Sequence, residues 1–565
     1  MVSHLYPAAT PFWPNPEPDA QRPAPMLNSR FLRVVVLPAL LLLLAGLGLG
    51  CYYETNDDLS ITLLLQGSTA AGPVTNLHLY LHGLAPLLAG LYQQWPALPW
   101  YGLLLYALLY LATVLSFAVL DKLLRGRLAG SRITVVLLVF FGLAWLEHGL
   151  WFNYVRVPVL LAGTALLLAA QRPTRRRILV VAGVALVLAW LIRPSAAGLG
   201  LLAAVPGALW LAGRRGASLA GGAGALVVLG SAALLLFQSP ATATYRTLDV
   251  LKSNVNDYEL TRTAPTSAAD TLGLQALEHW ALGDSTLVNA QLFARATLFD
   301  GHYFLAQVAP RKLLGWGSLL GRDYFALLAL LAVGWLLVVR SRRYPQRQSF
   351  WLTQLFFIGL LLGLALVLKL PPRLGMPLFS LWVLTTLIYF LRDTRRPLPR
   401  LSPAFFALLS LLLIAYAFKT VHRRQVLRQE QERGWAVLGP AQAATNQGAV
   451  LVTAGLEAAY KSQSPFQVLH FAPHSVLSLT GWPTLDPSQS ALRVRLTGNR
   501  ALVPALARLA RQPATQWWLA PETLPWLSKY LAAQGWRLSA RPRRAGQPAS
   551  SVLAQPYGVD VEKMK

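Results

Sequence analysis

Apolar runs of bilayer-crossing length recur along this chain, and short groups of Arg and Lys separate them. A span needs roughly 17–25 mostly apolar residues, and stretches such as 34–50, 100–120 and 350–368 supply them. The chain is 55% hydrophobic and only 13% charged, which excludes an ordinary soluble domain of this length. Its net charge of +27 would suit nucleic acid, but the cations recur between apolar runs instead of forming one patch. That spacing is what membrane topology demands, so a nucleic-acid partner is set aside. Cys51 is the one cysteine, which rules out an intramolecular disulfide and a cysteine-based metal site.

Between Cys51 and Trp100 there is no Lys or Arg, yet the segment carries Glu54, Asp57 and Asp58 directly after the first apolar run. Basic loops stay in the cytoplasm, so this acidic segment belongs on the opposite face. Span one, 34–50, runs outward from Arg30 and Arg33. If 77–92 and 100–120 both crossed, Lys122, Arg125 and Arg127 would lie outside and every later basic loop would be inverted. The stretch 77–92 is therefore expected flat in the outer interface, anchored by Tyr80, Tyr92 and Trp95. Later spans fall near 133–149, 154–170, 178–192, 196–212, 219–237, 323–339, 350–368, 374–391 and 403–418, about eleven in all. Lys419, Arg423 and Arg424 then lie outside, against the charge rule.

The expected fold is thus an α-helical polytopic membrane protein with a small C-terminal α/β extracytoplasmic domain. Residues 1–33 read as a Pro-rich cytoplasmic tail, with Met26 a natural start; 34–418 form the membrane region, with outer loops 51–98 and 238–322. In 419–565, a charged connecting helix, 419–435, leads into short runs at 449–454, 466–471, 491–496 and 516–519. These alternate with helical patterns at 501–511 and 522–533.

Four places carry residues suited to chemistry. Asn56-Asp57-Asp58 supplies carboxylates just past the first span, able to act as a general base or to hold a cation. The bland alternative is helix capping before Leu59-Ser60-Ile61. Lys369 and Arg373 flank a Pro break where cations suit a phosphate, or merely snorkel to the interface. Glu147 and His148 lie at another outer turn, where Glu147 is expected to pair with Arg156. The loop 238–322 offers Tyr245 and other aromatics for gripping an acceptor; Arg193 is a further phosphate contact.

An inward N-terminus, one span, an acidic pair, an interfacial helix and about ten more spans together resemble the GT-C glycosyltransferases. That superfamily includes protein O-mannosyltransferases, oligosaccharyltransferases and the aminoarabinose transferases of lipid A. The run Asn56-Asp57-Asp58, His78-Leu79-Tyr80-Leu81-His82-Gly83, then Trp95-Pro96 through Gly102, carries the likeness. The resemblance implies Asp57 as catalytic base with Asp58 its partner, and Arg373, Lys369 and Arg193 on the phosphate of a polyprenyl-phosphate-linked sugar. It also implies donor or acceptor contacts from Glu54, His78, His82, Glu147, His148 and Tyr245. A divalent cation (Mg or Mn) would be held by Asp58 or Glu147, and the enzyme would sit in a bacterial inner membrane. The Lys-Pro-Pro signature of some members is absent after the acidic loop. An O-antigen ligase or polymerase remains an alternative, as does a transporter or flippase, although mid-span charges are scarce.

Overall fold

The computed structural model describes residues 29–340, 346–393, 402–543 and 553–564. The expectations for the tail up to residue 28, including the start at Met26, and for Arg342, Arg343, Arg395, Arg396 and Arg400 lie outside them. The protein is mostly helical, and among the described residues seven helices are long and apolar enough to cross a membrane. An eighth crossing arises if Gly301–Arg322 and Phe325–Arg340, bent by 82° at their junction, count as one broken span. Three expected spans are shorter: Gly130–Ala144, Arg156–Gln171 and Arg176–Ile192, of 15, 16 and 17 residues. Arg156–Gln171 is buried on nearly every face, which is where a helix that is apolar all round belongs. It packs against Trp100–Leu124, Arg176–Ile192, Pro194–Ala212 and Pro372–Leu391 as the centre of the bundle.

Polar contacts identify the two ends of that bundle. At one, Arg33 Nε donates to Asp121 (2.9 Å), Lys122 Nζ to the Gln171 carbonyl (2.9 Å), and Arg172 to the Ala118 carbonyl (3.0 Å). At the other, Tyr101 donates to Asp58 and Arg156 to Glu54. The helices Leu32–Leu49 and Trp100–Leu124 therefore run in opposite directions, and the whole connection between them stays at one end. Its helix Leu84–Gln94 is 11 residues long and is tied down where Tyr92 Oη accepts from the Tyr101 N–H (3.1 Å). At 1.5 Å per residue it is too short to cross.

The C-terminal region contains a five-stranded mixed sheet. In spatial order its strands are Val476–Ser478, Val450–Ala454, Thr515–Leu519, Gln555–Lys563 and Trp536–Pro542; the first three are parallel and the last two antiparallel additions. The expected strand at 491–496 is instead part of the helix Ser488–Thr497. Its Ala-Leu-Arg-Val-Arg-Leu run alternates like a strand, but Gln489, Leu492, Arg493 and Thr497 are the buried positions, a helical spacing. The run 466–471 forms no strand, and the connecting helix is continuous with the last apolar helix over Pro403–Asn446.

The sheet packs directly onto the helices rather than trailing from them. Tyr52–Tyr53 pairs in parallel with Trp151–Phe152, while Tyr53 N–H donates to the Gln463 carbonyl and Ser462 N–H to the Tyr53 carbonyl. Gly102 abuts Pro465 so closely that a Cβ there would lie 2.1 Å from the Pro465 carbonyl oxygen. The loop 238–322 belongs to the same unit. Its helix Ala268–Glu278 buries Leu272, Ala276 and Leu277 in one apolar cluster with Leu477, Leu506 and Trp526 of the sheet region.

Candidate active site at the acidic end of the bundle

Asp57 and Asp58 open the helix Asp57–Gln66, where carboxylates suit the partial positive charge of a helix N-terminus. Neither Asn56 nor the acidic pair makes a side-chain capping bond there, so capping does not explain the motif. Adjacent positions on a helix point about 100° apart, and the two carboxylates have different surroundings. Asp58 is fully buried and accepts from the Tyr101 hydroxyl (2.9 Å), Asn153 Nδ2 (2.9 Å) and the Tyr154 N–H (3.0 Å). Burial pushes its carboxyl well above the ordinary range, against the Tyr101 hydrogen bond; the neighbouring Asp57 charge adds to the rise. Asp57 is half-exposed, accepts only from the Thr55 hydroxyl (3.2 Å), and makes no ion pair with any described residue. Of the pair, Asp57 is the carboxylate left available to a ligand.

Glu54 positions what faces it. The parallel pairing of 52–53 with 151–152 sets Glu54 beside Arg156, whose Nε (3.0 Å) and Nη2 (2.6 Å) both donate to Oε2. The other oxygen, Oε1, accepts from the Arg373 backbone N–H (2.8 Å), one of the free donors at the start of Pro372–Leu391. Glu54 thus fixes the helix start that carries Arg373. The Arg373 guanidinium has no hydrogen-bond or ion-pair partner among the described residues, and it lies within electrostatic range of Asp57, Glu54, Tyr154 and Arg193.

Arg193 directly precedes the helix Pro194–Ala212, half-buried and without a side-chain capping bond. It donates to the Tyr154 hydroxyl (2.7 Å) and lies over the rings of Tyr80 (5.2 Å) and Tyr154 (5.4 Å). Burial disfavours its charge, yet Tyr154, Tyr80 and Asp57 outweigh that and raise the guanidinium above its ordinary value. Burial drives the Tyr154 hydroxyl up to about 12. His78, held in the left-handed region (φ 58°), stacks on Tyr245 (4.5 Å) and shares a 2.9 Å hydrogen bond with Thr242. Asp57, Arg193, Arg373 and Tyr154 therefore lie within electrostatic range of one another, and Tyr245 lies within range of Asp57 and Tyr154.

Other expected contributors lie elsewhere. Glu147 does not pair with Arg156, which Glu54 already holds; it binds Lys419 and Arg423. His148 is buried beside Ser380 (3.0 Å) and Arg156, where burial lowers it well below its ordinary value. His82 packs near Trp190, and burial lowers it as well. Lys369 is exposed and reaches Asp257 (4.0 Å) in a separate cavity of about 440 Å³. Asp58 and Glu147, the expected cation ligands, are each engaged by their own donors, and no three metal-ligating side chains meet among the described residues.

Residues missed in the sequence are Tyr101, which anchors Asp58, and Asp486 and Trp482 from the sheet region. Asp486 Oδ2 lies 3.5 Å from His78 Nε2, and Trp482 meets Tyr80 edge-on (6.0 Å, 77°). No local pattern marks Trp482 and Asp486, which only the docking of the sheet brings here, whereas Tyr101 arrives on the helix Trp100–Leu124. No protein family, curated protein or solved structure matches this chain.

Proposed function

We propose that this protein is a membrane glycosyltransferase that moves a sugar from a polyprenyl-phosphate donor to an acceptor outside the cytoplasm. The observation that carries this reading is the Asp57 carboxylate, without an ion pair among the described residues, within electrostatic range of the cations of Arg373 and Arg193. Asp57 takes the proton of the acceptor hydroxyl as its oxygen attacks the anomeric carbon with inversion. The bond from that carbon to the phosphate oxygen breaks, and its electron pair leaves with the lipid phosphate. Arg373 and Arg193 then neutralise the growing negative charge, as fixed donors do for other developing anions. Asp58 is a positioning residue that locks the helix start through Tyr101, Asn153 and Tyr154.

In this reading about eleven helices cross or enter the bilayer, and the end bearing Arg33, Lys122 and Arg172 faces the cytoplasm. The acidic end and the sheet region then lie outside, in a bacterial inner membrane. The ion pairs of Lys419 and Arg423 with Glu147 and Asp323 support that orientation, because they neutralise the cations that break the charge rule. The test is the glycan and lipid profile of cells complemented with Asp57→Asn. Normal product from that variant would remove the proposed base and the reading with it.

A further inference from the structure

A cavity of about 600 Å³ opens between the helices Leu32–Leu49 and Trp100–Leu124, and it shares no lining residue with the groups around Asp57. Its walls are apolar or small, with Leu42 and Gly46 on one helix and Leu103 and Ala107 on the other. Leu43 and Leu47 also line it and are exposed, so the cavity is open sideways, where lipid chains run. The stretch of the first helix along it, Ala39 to Gly50, is about 16 Å long. That is roughly one leaflet of a ~30 Å hydrocarbon core. The Tyr106 and Tyr110 hydroxyls on its wall are engaged by the Gly149 and Val35 carbonyls. At the end where the first helix stops, Tyr52 lines the cavity; it is only 5% exposed, and its hydroxyl has no hydrogen-bond partner among the described residues. Tyr52 packs against Leu427 of the long helix Pro403–Asn446, and Arg424, Leu427 and Gln431 share one face of that helix by their spacing. Gln431 lines the cavity, and Arg424 lies within electrostatic range of Tyr52. Arg428, also in range, is answered by Glu432 (2.9 Å). Arg424 is half-buried and has neither a side-chain hydrogen bond nor an ion pair among the described residues. Of the three cations that break the charge rule, Lys419 and Arg423 are held by Glu147 and Asp323, and Arg424 is not.

We propose that this cavity holds one anionic phospholipid, with an acyl chain in the groove and the phosphate at Tyr52 and Arg424. The proposal goes beyond the transferase reading and stands without it. A phosphate oxygen accepts from the Tyr52 hydroxyl, which gives a buried donor the partner it lacks. The same phosphate makes a charge-assisted contact with Arg424. Because Arg428 and Glu432 already cancel, Arg424 is the uncompensated charge, and a headgroup of net negative charge complements it better than a zwitterion. A groove of one leaflet's depth suits an acyl chain and is too short for a polyprenyl one.

The test titrates full-length protein, stripped of lipid in a neutral detergent, with phosphatidylglycerol, phosphatidylcholine or a polyprenyl phosphate, and counts bound lipid by native mass spectrometry. One phosphatidylglycerol per chain is expected, held about tenfold more tightly than phosphatidylcholine. Arg424→Gln should remove that preference by weakening phosphatidylglycerol about tenfold and sparing phosphatidylcholine. Tyr52→Phe should weaken both lipids about fivefold, since both carry a phosphate. Ala107→Phe stands at an exposed wall position, so it fills the groove without entering the core and should weaken both lipids about tenfold. Equal binding of the two phospholipids, or unchanged binding by Arg424→Gln and Ala107→Phe, would overturn the proposal. Tighter binding of the polyprenyl phosphate, lost in the same variants, would overturn it by giving the groove to that lipid. A lipid-free dimer that Ala107→Phe breaks would overturn it by making the groove an interface between copies. Asp57→Asn should bind phospholipid as the unaltered protein does, so failure of the transferase reading leaves these counts where they are.

Discussion

In one set of charges, Glu147 and Asp323 hold Lys419 and Arg423 in a buried four-residue cluster. In another, Asp57 lies within electrostatic range of Arg193 and Arg373 without an ion pair to either. Trp151 touches both sets, with Arg423 over its ring at 4.4 Å and Arg156, which holds Glu54, at 5.6 Å. Both sets lie at the same end of the bundle, yet only the first satisfies its own charges. In the paired set, the Arg423 Nη1 to Glu147 Oε2 contact is 2.9 Å, and Lys419 also donates to the Asp323 carbonyl (2.9 Å). A closed cluster of this kind ties the bend at Asp323 to the long helix Pro403–Asn446 and leaves nothing for a ligand. An open one costs stability, because charges are partly desolvated without compensation. Its presence beside Asp58, where every oxygen is engaged, separates a group kept for chemistry from one kept for position.

The largest effect that can break this contrast is on turnover. Asp57→Asn should lower sugar transfer on the order of 10²–10⁴-fold, the usual loss of a general base. Its thermal stability should hardly move, because Asp57 has one side-chain hydrogen bond, from Thr55. The paired side should respond the other way round. Glu147→Ala leaves Lys419 and Arg423 each with one carboxylate fewer, only Asp323 remaining, which should cost about 3–5 kcal/mol of stability. Turnover per folded molecule should be retained, as measured on detergent-purified protein after removal of the unfolded fraction. A Glu147 variant that is stable but inactive would dissolve the distinction between the two sides.

Arg373→Ala should sharpen the comparison at a smaller scale. A single charge-assisted contact to the leaving phosphate suggests about a 10–100-fold loss in turnover, visible at saturating donor. Arg373→Lys should recover part of it by restoring a point charge without the fork. Loss of folded protein in Arg373→Ala, with no kinetic defect in what remains, would move Arg373 to the structural set.

The two sides also differ in how much of them could be read in the sequence. Asp57 was legible because position alone marks it: an acidic, Lys/Arg-free segment directly follows the first apolar run. Arg373 was legible because a Pro pair places it at a helix start. The closed cluster was not, since Glu147, Asp323, Lys419 and Arg423 come from three separate segments, and Arg156 offered Glu147 a nearer partner in sequence. Its place was taken by Glu54, which the pairing of Tyr52–Tyr53 with Trp151–Phe152 brings alongside. Trp482 and Asp486 were invisible for the same reason on a larger scale, since some 400 positions separate them from the Tyr80 and His78 they touch. Periodicity also misled where two periods compete: the basic residues between apolar ones in 491–496 imitate a strand, while burial follows the helix.

The smallest effect is in the pH dependence of stability, and there the two sides should have opposite signs. Burial would raise the Asp323 carboxyl, but Arg423 and Lys419 outweigh it and hold Asp323 below its ordinary value. An acid depressed in the folded state contributes stability above its unfolded value, and that stability is lost as pH falls through the folded one. The closed cluster should therefore weaken below about pH 4. Asp58 is raised by burial, with the Tyr101 hydroxyl opposing. A raised acid stabilises most at low pH, and the contribution declines as pH climbs from about 4 towards the folded value. Asp323→Asn should flatten the acid limb of a plot of Tm against pH and leave the rest in place. Asp58→Asn should flatten the descent on the other limb, because the titrating group there is gone. If both variants flatten the same limb, the two carboxylates share one electrostatic environment and the contrast between the two sets fails.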